Sequence, residues 1–554
     1  MSSPLLRLLP STTFGTLVRC LSRGRLFQFP EEEPGYVLPE GYALITASRE
    51  STVTQGTGQQ VSSKDDELVV DKESTECRTQ SPETTDKAIL VSWYSNNDPE
   101  NPRCWPLWVK LMVYFQINFY TFIVYMASSI FSAAQPEFET IYGVSKAEGS
   151  LGLALVLLGY GLGALLFSPL SEIPAIGRNP PYTISLALFV LVSGLAVAVD
   201  NAPGFLVLRF LQGLFGSPCL ATGAASLTDI TEIINIPYGL WIWGTCSVAA
   251  PAVGPCIAAF SITAYDWRWS MWVILWGAAP CLVLLLFLPE TFGPAILHAR
   301  AARLRAVTGN DSFKAASEMD RSRYSLRSIV NGALIIPWKI NALDPAILFT
   351  TLYTALVYAI FYSFFEVFPF VYQEIYHMDI THMGLVFLAA VIAALLVMPL
   401  YFLFIHYAIA QPIRNGNGTF PPPECRLIPA LFISPFVPAG MYLFAWTSRA
   451  EIHWTVPTVG FILIMAGVIT LLQCMFGYMA VAYPHYAASL FAMNDFARST
   501  LAFGAILWSR PLYRDLGVSG GTSLVGALTV PCVFGIFALY LFGERLRKRS
   551  RFAG

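Results

Sequence analysis

The chain has 554 residues, of which 55% are hydrophobic and only 13% are charged. Soluble domains carry about 25% charged residues, so this composition excludes an ordinary soluble protein and predicts a polytopic membrane protein. The formal net charge of −2 gives no indication of nucleic-acid binding. The ten cysteines contain no CxxC pair and predict no disulfide framework.

The first 106 residues differ in composition from the rest. Four arginines precede the first acidic residue, Glu31: Arg7, Arg19, Arg23 and Arg25. Transit peptides have this composition, but no long apolar core follows, and the spacing suits one face of a short amphipathic helix. We therefore predict a cytosolic tail that touches the membrane surface. Residues 48–90 are rich in Ser, Thr, Gln, Asp and Glu and are predicted to be disordered.

Twelve apolar segments follow, each long enough to cross about 30 Å of hydrocarbon as a helix. The first six are predicted at 108–133, 149–170, 180–200, 203–226, 237–262 and 268–288. The second six are predicted at 345–373, 380–406, 426–447, 455–480, 485–508 and 523–543.

The segments divide the chain into five parts. These are a cytosolic, largely disordered tail (1–106), an N-terminal six-helix bundle (107–288), a cytosolic middle loop (289–344), a C-terminal six-helix bundle (345–544) and a basic cytosolic tail (545–554). The middle loop and the C-terminal tail are rich in Lys and Arg, whereas the other set of loops carries only isolated bases. This asymmetry predicts that both termini are cytosolic. The "ARAARLRAV" stretch of the middle loop is predicted to be an amphipathic helix on the inner membrane surface.

Few charged residues lie deep in the predicted spans, where an unpaired charge costs several kcal/mol. Asp495 and Arg498 of the eleventh span stand three residues apart and share a helix face. Two interpretations stay open for them: a mutual ion pair that locks helices together, or a protonatable site that lines a cavity. Glu366 of the seventh span has no base nearby in sequence, and an isolated buried carboxyl can exchange a proton near neutral pH. Since it lies toward the outer end of its span, it can also simply be hydrated.

Arg209 lies in the outer half of the fourth span, and its guanidinium stays charged. It needs a carboxylate, backbone carbonyls or water as a partner. Gln212 shares its turn, and Gly213 follows one turn on. A functional site and a structural clamp to neighbouring carbonyls both stay open.

The fifth span contains Pro251, Gly254 and Pro255 within about one turn. Proline kinks a membrane helix and glycine lets helices approach closely, so a specific kink is predicted, although packing alone can also explain it. Most aromatic residues of the seventh span are expected to pack between helices, and some to line an apolar pocket: Tyr358, Phe361, Tyr362 and Phe365. No Walker motif, metal-ligand spacing or Ser/His/Asp arrangement occurs in the sequence, so we expect no ATP, metal or cofactor.

Motifs stand in order along nearly the whole chain. They are "LVRCLSRGRLFQFPEEEPGY" in the tail, "DPENPRCWPLWVK" before the first span, "SPLSEIPAIGRNPPY" between spans two and three, "RFLQGLFGSPCLATGAASLTDI" in span four, "APAVGP" in span five, "LPETFGPAILHARAARLR" after span six and "YPHYAASLFAMNDFARS" in span eleven. Together they resemble the major facilitator superfamily, in particular the fungal twelve-span drug:proton antiporters of the azole- and benomyl-resistance type. There are departures: Ser168 and Asn179 replace the usual glycine and second base of the loop motif, which is stretched, and Ala250 replaces a glycine in the fifth span.

The resemblance implies two six-helix bundles that rock about a central cavity, with protons entering as substrate leaves. It implies that Arg209 acts on a nearby carboxyl or in the proton path. It also implies that the fifth-span motif shapes the closing interface, together with the Gly213 position. Glu172, Gly177 and Arg178 would latch the cytosolic side through salt bridges that break in one state.

The resemblance does not settle which carboxyl exchanges the proton, for which the candidates are Glu366 and Asp495, with Arg498 beside the latter. Gln212 and Asn494 join the four aromatic residues as candidates for the substrate cavity.

The expected function is proton-coupled efflux of small apolar or amphipathic compounds, such as azoles, other xenobiotics or fungal secondary metabolites, across the plasma membrane or alternatively the vacuolar membrane. One alternative is an importer or uniporter of a nutrient or polyamine, against which "APAVGP" argues. Another is a non-transporting sensor or a membrane-embedded enzyme, and the absence of nucleophile, metal and cofactor spacing argues against the enzyme. We expect a monomer in the lipid bilayer whose partners are protons and small-molecule substrates, with no nucleic acid.

Overall fold

A computed structural model describes residues 8–33, 36, 88–95, 97–319, 335–415, 421–483 and 487–552. Nearly all of these residues are helical, as predicted. Apart from 88–90, the stretch predicted to be disordered lies outside the described residues.

Ten helices or continuous helix series of the described part are each one candidate membrane span. They are Leu107–Tyr142, Lys146–Ser171, Asn179–Ala198, Ala202–Ile230, Ile236–Ala264, Arg268–Leu286, Pro345–Ile375, Ile380–Asn415, Pro423–Thr447 and Thr455–Ala482. We call them spans 1 to 10. Four of these spans are divided into shorter helices. Span 1 consists of Leu107–Ser129 and Phe131–Tyr142, and span 4 of Ala202–Gly216 and Pro218–Ile230. Span 8 consists of Ile380–Val386, Ala389–Phe404, Ile405–Ala410 and Gln411–Asn415, and span 9 of Pro423–Leu427, Ile428–Ile433 and Phe436–Thr447. Span 7 ends in a π-helical turn at Pro369–Ile375.

The last helix series, Ser489–Arg549, has 61 residues. A straight helix of that length measures about 90 Å, three times the hydrocarbon thickness. Gly517 interrupts it with non-helical angles, φ 70° and ψ 166°. The series therefore comprises spans 11 and 12, so the described residues form twelve spans in two sets of six. We call the side that carries the tail helix Thr13–Leu21 and the end of the series at Arg549 the terminal side, and the opposite side the distal side.

A small layer covers the terminal side. Its helices are Leu9–Ser11, Thr13–Leu21, Pro30–Glu32, Pro102–Cys104, Gly293–Thr308, Ala316–Met319 and Ile336–Leu343, and its two strands, Ile89–Val91 and Phe313–Ala315, pair in parallel. The tail helix Thr13–Leu21 is the predicted amphipathic helix. Its Phe14 ring contacts Phe287 at the end of span 6 (4.9 Å between centroids), while Leu17 and Leu21 stay exposed. Its contact with the membrane surface stays a prediction.

A buried ion-pair cluster joins the tail to the middle loop. Arg300 and Arg303 of the helix Gly293–Thr308 face three carboxylates from earlier in the chain: Glu31, Asp98 and Glu100. Arg300 is only 1% exposed and binds Asp98 at 2.7 Å. Burial raises the pKa of Asp98, but the hydrogen bonds from Arg300 and from the backbone N–H groups of Tyr94 and Glu100, together with the charge of Arg300, outweigh it and hold the pKa below its ordinary value. For Glu100, burial dominates and raises the pKa.

This cluster corrects one prediction. The "ARAARLRAV" stretch is helical, but Arg300 and Arg303 point into the protein and not to lipid head groups. The sequence pattern is misleading here because the neutralising carboxylate Asp98 lies 202 residues away along the chain.

Replacing Arg300 is expected to release the tail. Arg300→Ala leaves buried carboxylates without their cation, a change that costs about 3–5 kcal/mol for a buried pair. We expect chymotrypsin to cleave the purified protein near Phe27 and Phe29 at least several-fold faster, measured by the appearance of the shortened chain. Arg305→Ala is the matched control, since Arg305 lies on the same helix but pairs with a partly exposed Glu318. Equal cleavage of the two variants would contradict the role given to this cluster.

Candidate functional site

Arg209 is completely buried in span 4. It donates four hydrogen bonds, to the carbonyl oxygens of Gly152 (2.8 Å), Ala127 (3.0 Å) and Ser128 (3.3 Å) and to Oε1 of Gln212 (2.6 Å). No carboxylate of the described residues pairs with it. Of the three kinds of partner that the sequence left open, a carboxylate, backbone carbonyls or water, Arg209 therefore binds backbone carbonyls, which belong to spans 1 and 2. These oxygens carry no formal charge, so the positive charge of Arg209 is not neutralised.

Gln212 and Gly213 complete the same helix turn. The Gln212 amide donates to the hydroxyl of Ser193 in span 3 (2.7 Å). A Cβ atom at Gly213 would lie 2.0 Å from the carbonyl oxygen of Val156. Spans 2 and 4 thus touch backbone to backbone beside Arg209, which only glycine permits.

The fifth-span motif lies between the two halves. A Cβ atom at Gly254 would lie 2.3 Å from the Ser129 hydroxyl of span 1. On the other half, a Cβ atom at Gly384 of span 8 would lie 3.2 Å from the carbonyl oxygen of Pro255. The helix continues through both Pro251 and Pro255. This position suits the predicted role of the motif at the closing interface, which stays a prediction.

Five side chains meet near the distal ends of spans 1, 2, 7 and 11, and we call them the distal cluster: Gln135, Glu139, Ser150, Glu366 and Arg510. Arg510 pairs with Glu366 through Nε and with Glu139 at 3.2 Å. The Ser150 hydroxyl donates to Glu366 at 3.0 Å. Gln135 donates to Glu139 (2.8 Å) and to Ser150 (3.1 Å). The cluster joins the halves, since three of its members belong to the first half and two to the second.

The expectation that Glu366 is an isolated carboxyl is therefore wrong. Its partner Arg510 is 144 residues away in sequence and, by hydropathy, falls just past the predicted end of span 11. Glu366 is 2% exposed, so it is not simply hydrated. One guanidinium serves two carboxylates, which leaves the distal cluster with a net negative charge when both are ionised.

Asp495 and Arg498 form a mutual ion pair, which was the first of the two interpretations. The guanidinium of Arg498 lies between two rings, with Tyr358 at 4.8 Å and Phe476 at 5.1 Å from their centroids. Asp495 also lines a cavity, as the second interpretation requires, and its protonation stays a prediction. The neighbouring Asn494 donates to Thr354 of span 7 (2.7 Å).

One face of span 7 links the distal cluster, Arg498 and Arg209. Tyr358, Tyr362 and Glu366 follow one another at intervals of four residues. The Tyr362 hydroxyl lies 3.5 Å from that of Tyr358 and 3.0 Å from that of Ser128, whose carbonyl accepts from Arg209. The face thus reaches the distal cluster at one end and Arg498 at the other, with a branch to Arg209. The remaining two aromatic candidates, Phe361 and Phe365, are buried, and Phe365 stacks on Phe387 of span 8.

The terminal-side loop motif is held within the first half. Arg178 pairs with Asp229 at the end of span 4 (3.0 Å). Gly177 has a φ of 77°, and the backbone N–H groups of Arg178 and Asn179 donate to Glu290, both at 3.2 Å or less. Three of the motifs noted in the sequence therefore converge here. Glu172 forms no ion pair with any described residue, and burial raises its pKa. A latch that breaks in one state stays a prediction.

A narrow cavity, here called the terminal cavity, opens between the halves toward the terminal side. The first half contributes apolar side chains, among them Leu220, Leu240 and Trp243. The second half contributes Tyr401, Phe476 and Phe491 and three polar residues, Arg426, Gln473 and Asp495. Its volume is about 40 Å³, whereas drug-sized ligands need about 300–1,000 Å³. Beside it, Trp241 stacks on Tyr401 at 4.1 Å and holds spans 5 and 8 together.

Among the predicted cavity candidates, none lies on the wall of the terminal cavity in this conformation. Gln212, Asn494 and the four span 7 aromatics occupy helix contacts instead, and their contribution to a wider cavity stays a prediction. The sequence reasoning missed Glu139, Ser150, Arg510, Arg426 and Gln473. The signal for Arg510 was weak, because it falls just past the predicted end of span 11. Arg426 begins span 9, where a basic residue is ordinarily expected to contact head groups.

The described residues form twelve spans in two halves on either side of a narrow cavity, an arrangement typical of membrane transport proteins. The sequence profile of the Major Facilitator Superfamily matches residues 117–506. The chain is similar to the MFS-type transporter pyvG of Aspergillus violaceofuscus, with 53% identity over 547 residues and 99% of each chain covered. It is also similar to Fluconazole resistance protein 1 of Saccharomyces cerevisiae, with 36% identity over 468 residues, 83% of this chain and 84% of that protein.

Among solved structures, the proton:xylose symporter XylE bound to 6-bromo-6-deoxy-D-glucose matches with a TM-score of 0.56 at 12% identity, over 79% of this chain and 96% of that one. This match supports the fold alone. The chain belongs to the Major Facilitator Superfamily, and it is a transporter and not an enzyme.

The carbonyl contacts of Arg209 predict that its shape matters as well as its charge. Arg209→Lys keeps the charge, but a single ammonium cannot reach acceptors on three helices. We expect the melting temperature of the purified protein, measured by loss of monodisperse protein on heating, to fall by about 2–8 °C, as about 1–2 kcal/mol would produce in a large domain. The exposed Arg414→Lys is the control and should not change it. An unchanged melting temperature for Arg209→Lys would show that the carbonyl contacts are dispensable.

Proposed function

We propose that the chain exports small apolar or amphipathic compounds, such as azoles, other xenobiotics or fungal secondary metabolites, in exchange for protons. Export proceeds by alternating access across the plasma membrane, without ATP, and the protein acts as a monomer. The observation that carries the proposal is the distal cluster, in which one guanidinium joins two carboxylates across the two halves. The names of its relatives, an MFS-type transporter and a fluconazole resistance protein, support the substrate class.

In this proposal the terminal side faces the cytosol, in line with its basic loops. The distal cluster then faces outside, where protons enter. A proton added to Glu366 neutralises that carboxylate and removes its ion pair with Arg510. Both residues belong to the second half, so the loss acts on the contacts between the halves indirectly: the Ser150 hydrogen bond to Glu366 weakens, and Arg510 loses the partner that positions it against Glu139. The distal side then opens to release substrate.

After substrate release the proton moves toward the cytosol. Tyr362 and Tyr358 lie one and two turns along span 7 and lead toward Asp495. Asp495 borders the terminal cavity, so it can exchange the proton with cytosolic water. Arg209 reaches Tyr362 through Ser128 and contributes a fixed positive charge beside this route, which favours deprotonation of the groups along it. Loss of the proton restores the ion pair and closes the distal side.

Substrate enters from the terminal side. The terminal cavity is mostly apolar, as a site for azoles or other amphipathic compounds requires. Because it is too small for such compounds in this conformation, the contact between Trp241 and Tyr401 has to separate during loading. The fifth-span motif lies between both halves and is placed to transmit the movement.

The proposal predicts that Glu366 couples export to the proton gradient. Radiolabelled fluconazole is measured in yeast cells that lack their own drug exporters and carry the chain, with and without a protonophore. We expect cells with the unaltered chain to hold several-fold less fluconazole, and the protonophore to abolish the difference. Glu366→Gln is expected to accumulate fluconazole like cells without the chain, because an amide accepts no proton.

The control is Glu374→Gln, which alters an exposed carboxylate later in the same span and should leave export unchanged. Each variant is first confirmed at the cell surface. Export that persists after the gradient collapses would contradict proton coupling. Equal accumulation with and without the chain would reject azoles as substrates.

A further inference from the structure

We propose that Arg426 and Gln473 form a head-group subsite of the terminal cavity that binds the acidic end of an amphipathic substrate. Suitable ends are a carboxylate, an enolate or a phenolate. The inference rests on the proposed function, since it names the substrate class of the same cavity. It adds a specificity-determining pair that no sequence motif indicated.

Arg426 lies in the short helical turn Pro423–Leu427 at the terminal end of span 9. It borders the cavity, and it makes no hydrogen bond or ion pair with any residue that the structure describes. Its alkyl chain runs past Gly477 of span 10, where an added Cβ atom would lie 3.5 Å from Cδ of Arg426. The absence of a side chain at Gly477 leaves room for the arginine to reach the cavity.

The acid beside Arg426 in sequence and the acid on the cavity wall are both already paired. Glu424, two residues before Arg426, binds Arg547 of span 12 at 3.0 Å. Asp495 on the cavity wall is balanced by Arg498. Within the described chain, the cavity wall therefore keeps a positive charge without an internal counter-ion. A largely buried cation is costly unless water or a ligand anion accompanies it.

Gln473 of span 10 supplies a second donor. Its side chain is buried on the same cavity wall and makes no hydrogen bond with a described residue. Its Nε2 atom occupies the space beside Gly244 of span 5, 1.6 Å from where a Cβ atom would stand. The amide thus extends to the boundary between the halves, where a bound head group would meet it.

The opposite wall is apolar. It is formed by Leu220, Ala224, Leu240 and Trp243 of the first half, among others. The Trp243 indole N–H is already bonded to Thr121 (3.2 Å) and is not available. A ligand that fits both walls therefore has an apolar body toward the first half and an acceptor head toward Arg426. The forked guanidinium suits a carboxylate or enolate, to which it can donate two bonds.

The test uses three probes that differ only in their head group: 1-pyrenebutyric acid, its methyl ester and 1-pyrenebutylamine. Binding to the purified full chain in lipid nanodiscs is measured by energy transfer from tryptophan to pyrene, without a proton gradient. We expect the acid to bind about tenfold or more tightly than the ester, because hydrogen bonds to charged groups contribute that much. Arg426→Gln should remove this preference, and Arg426→Lys should retain part of it.

The matched control is Arg414→Gln, which removes an exposed arginine at the terminal end of span 8 and should leave the preference intact. Gln473→Leu is expected to weaken the acid preference several-fold without abolishing it. Equal binding of acid and ester, tighter binding of the amine, or no binding of the acid to the folded protein would each overturn the inference. The comparison of probes on the unaltered chain remains decisive if Arg426→Gln does not fold.

Fluconazole accumulation separates this inference from the proposed function. Proton-dependent export without any acid preference overturns the subsite alone. An acid preference that depends on Arg426, in a chain that exports fluconazole independently of the gradient, overturns proton coupling and keeps the subsite.

Discussion

The structure depends on one constraint: a charge at the depth of the bilayer costs several kcal/mol unless it has a partner or water. Among the described residues, Arg209, Asp495 and Arg498 are charged side chains buried deep in the spans, and Glu366 is buried beside Arg510 toward the distal end. For Arg209 and Glu366 the partners come from other helices, so satisfying the charge also fixes which helices stand side by side. The contacts of Arg209 therefore fix spans 1, 2 and 4 within the first half. Those of Glu366 and Arg510 with Ser150 and Glu139 join the two halves.

The two halves meet this constraint differently. The first half surrounds Arg209 with neutral carbonyl oxygens, and its charge persists. The second half uses ion pairs, which a single proton can disrupt. Span 7 connects the two arrangements because Tyr358, Tyr362 and Glu366 lie on one of its faces. A change of charge at Glu366 therefore alters contacts in both halves, as the proposed proton coupling requires.

Hydropathy and loop charge predicted the spans because both depend on local composition. The Asp495–Arg498 pair was also within reach, since residues three apart on a helix must be neighbours. The remaining contacts depend on tertiary proximity. Nothing local to Glu366 indicates Arg510, 144 residues on, and nothing local to Arg300 indicates Asp98. For Arg209 the sequence left three kinds of partner open: a carboxylate, backbone carbonyls or water. That it binds carbonyls depends on how spans 1, 2 and 4 pack. A basic residue at the start of a span ordinarily predicts contact with lipid head groups, so the sequence did not indicate that Arg426 lies on the cavity wall.

In the proposed cycle, protonation of the distal cluster opens the distal side. The most direct test is the distance between spin labels at two exposed distal positions, Ala147→Cys in the first half and Asp379→Cys in the second, measured by double electron–electron resonance at pH 8 and pH 5. We expect a longer distance at pH 5 and, for Glu366→Gln, the longer distance at both pH values, while Glu374→Gln follows the unaltered chain. A distance distribution that is the same at both pH values, or a Glu366→Gln chain that stays closed at pH 8, would contradict it.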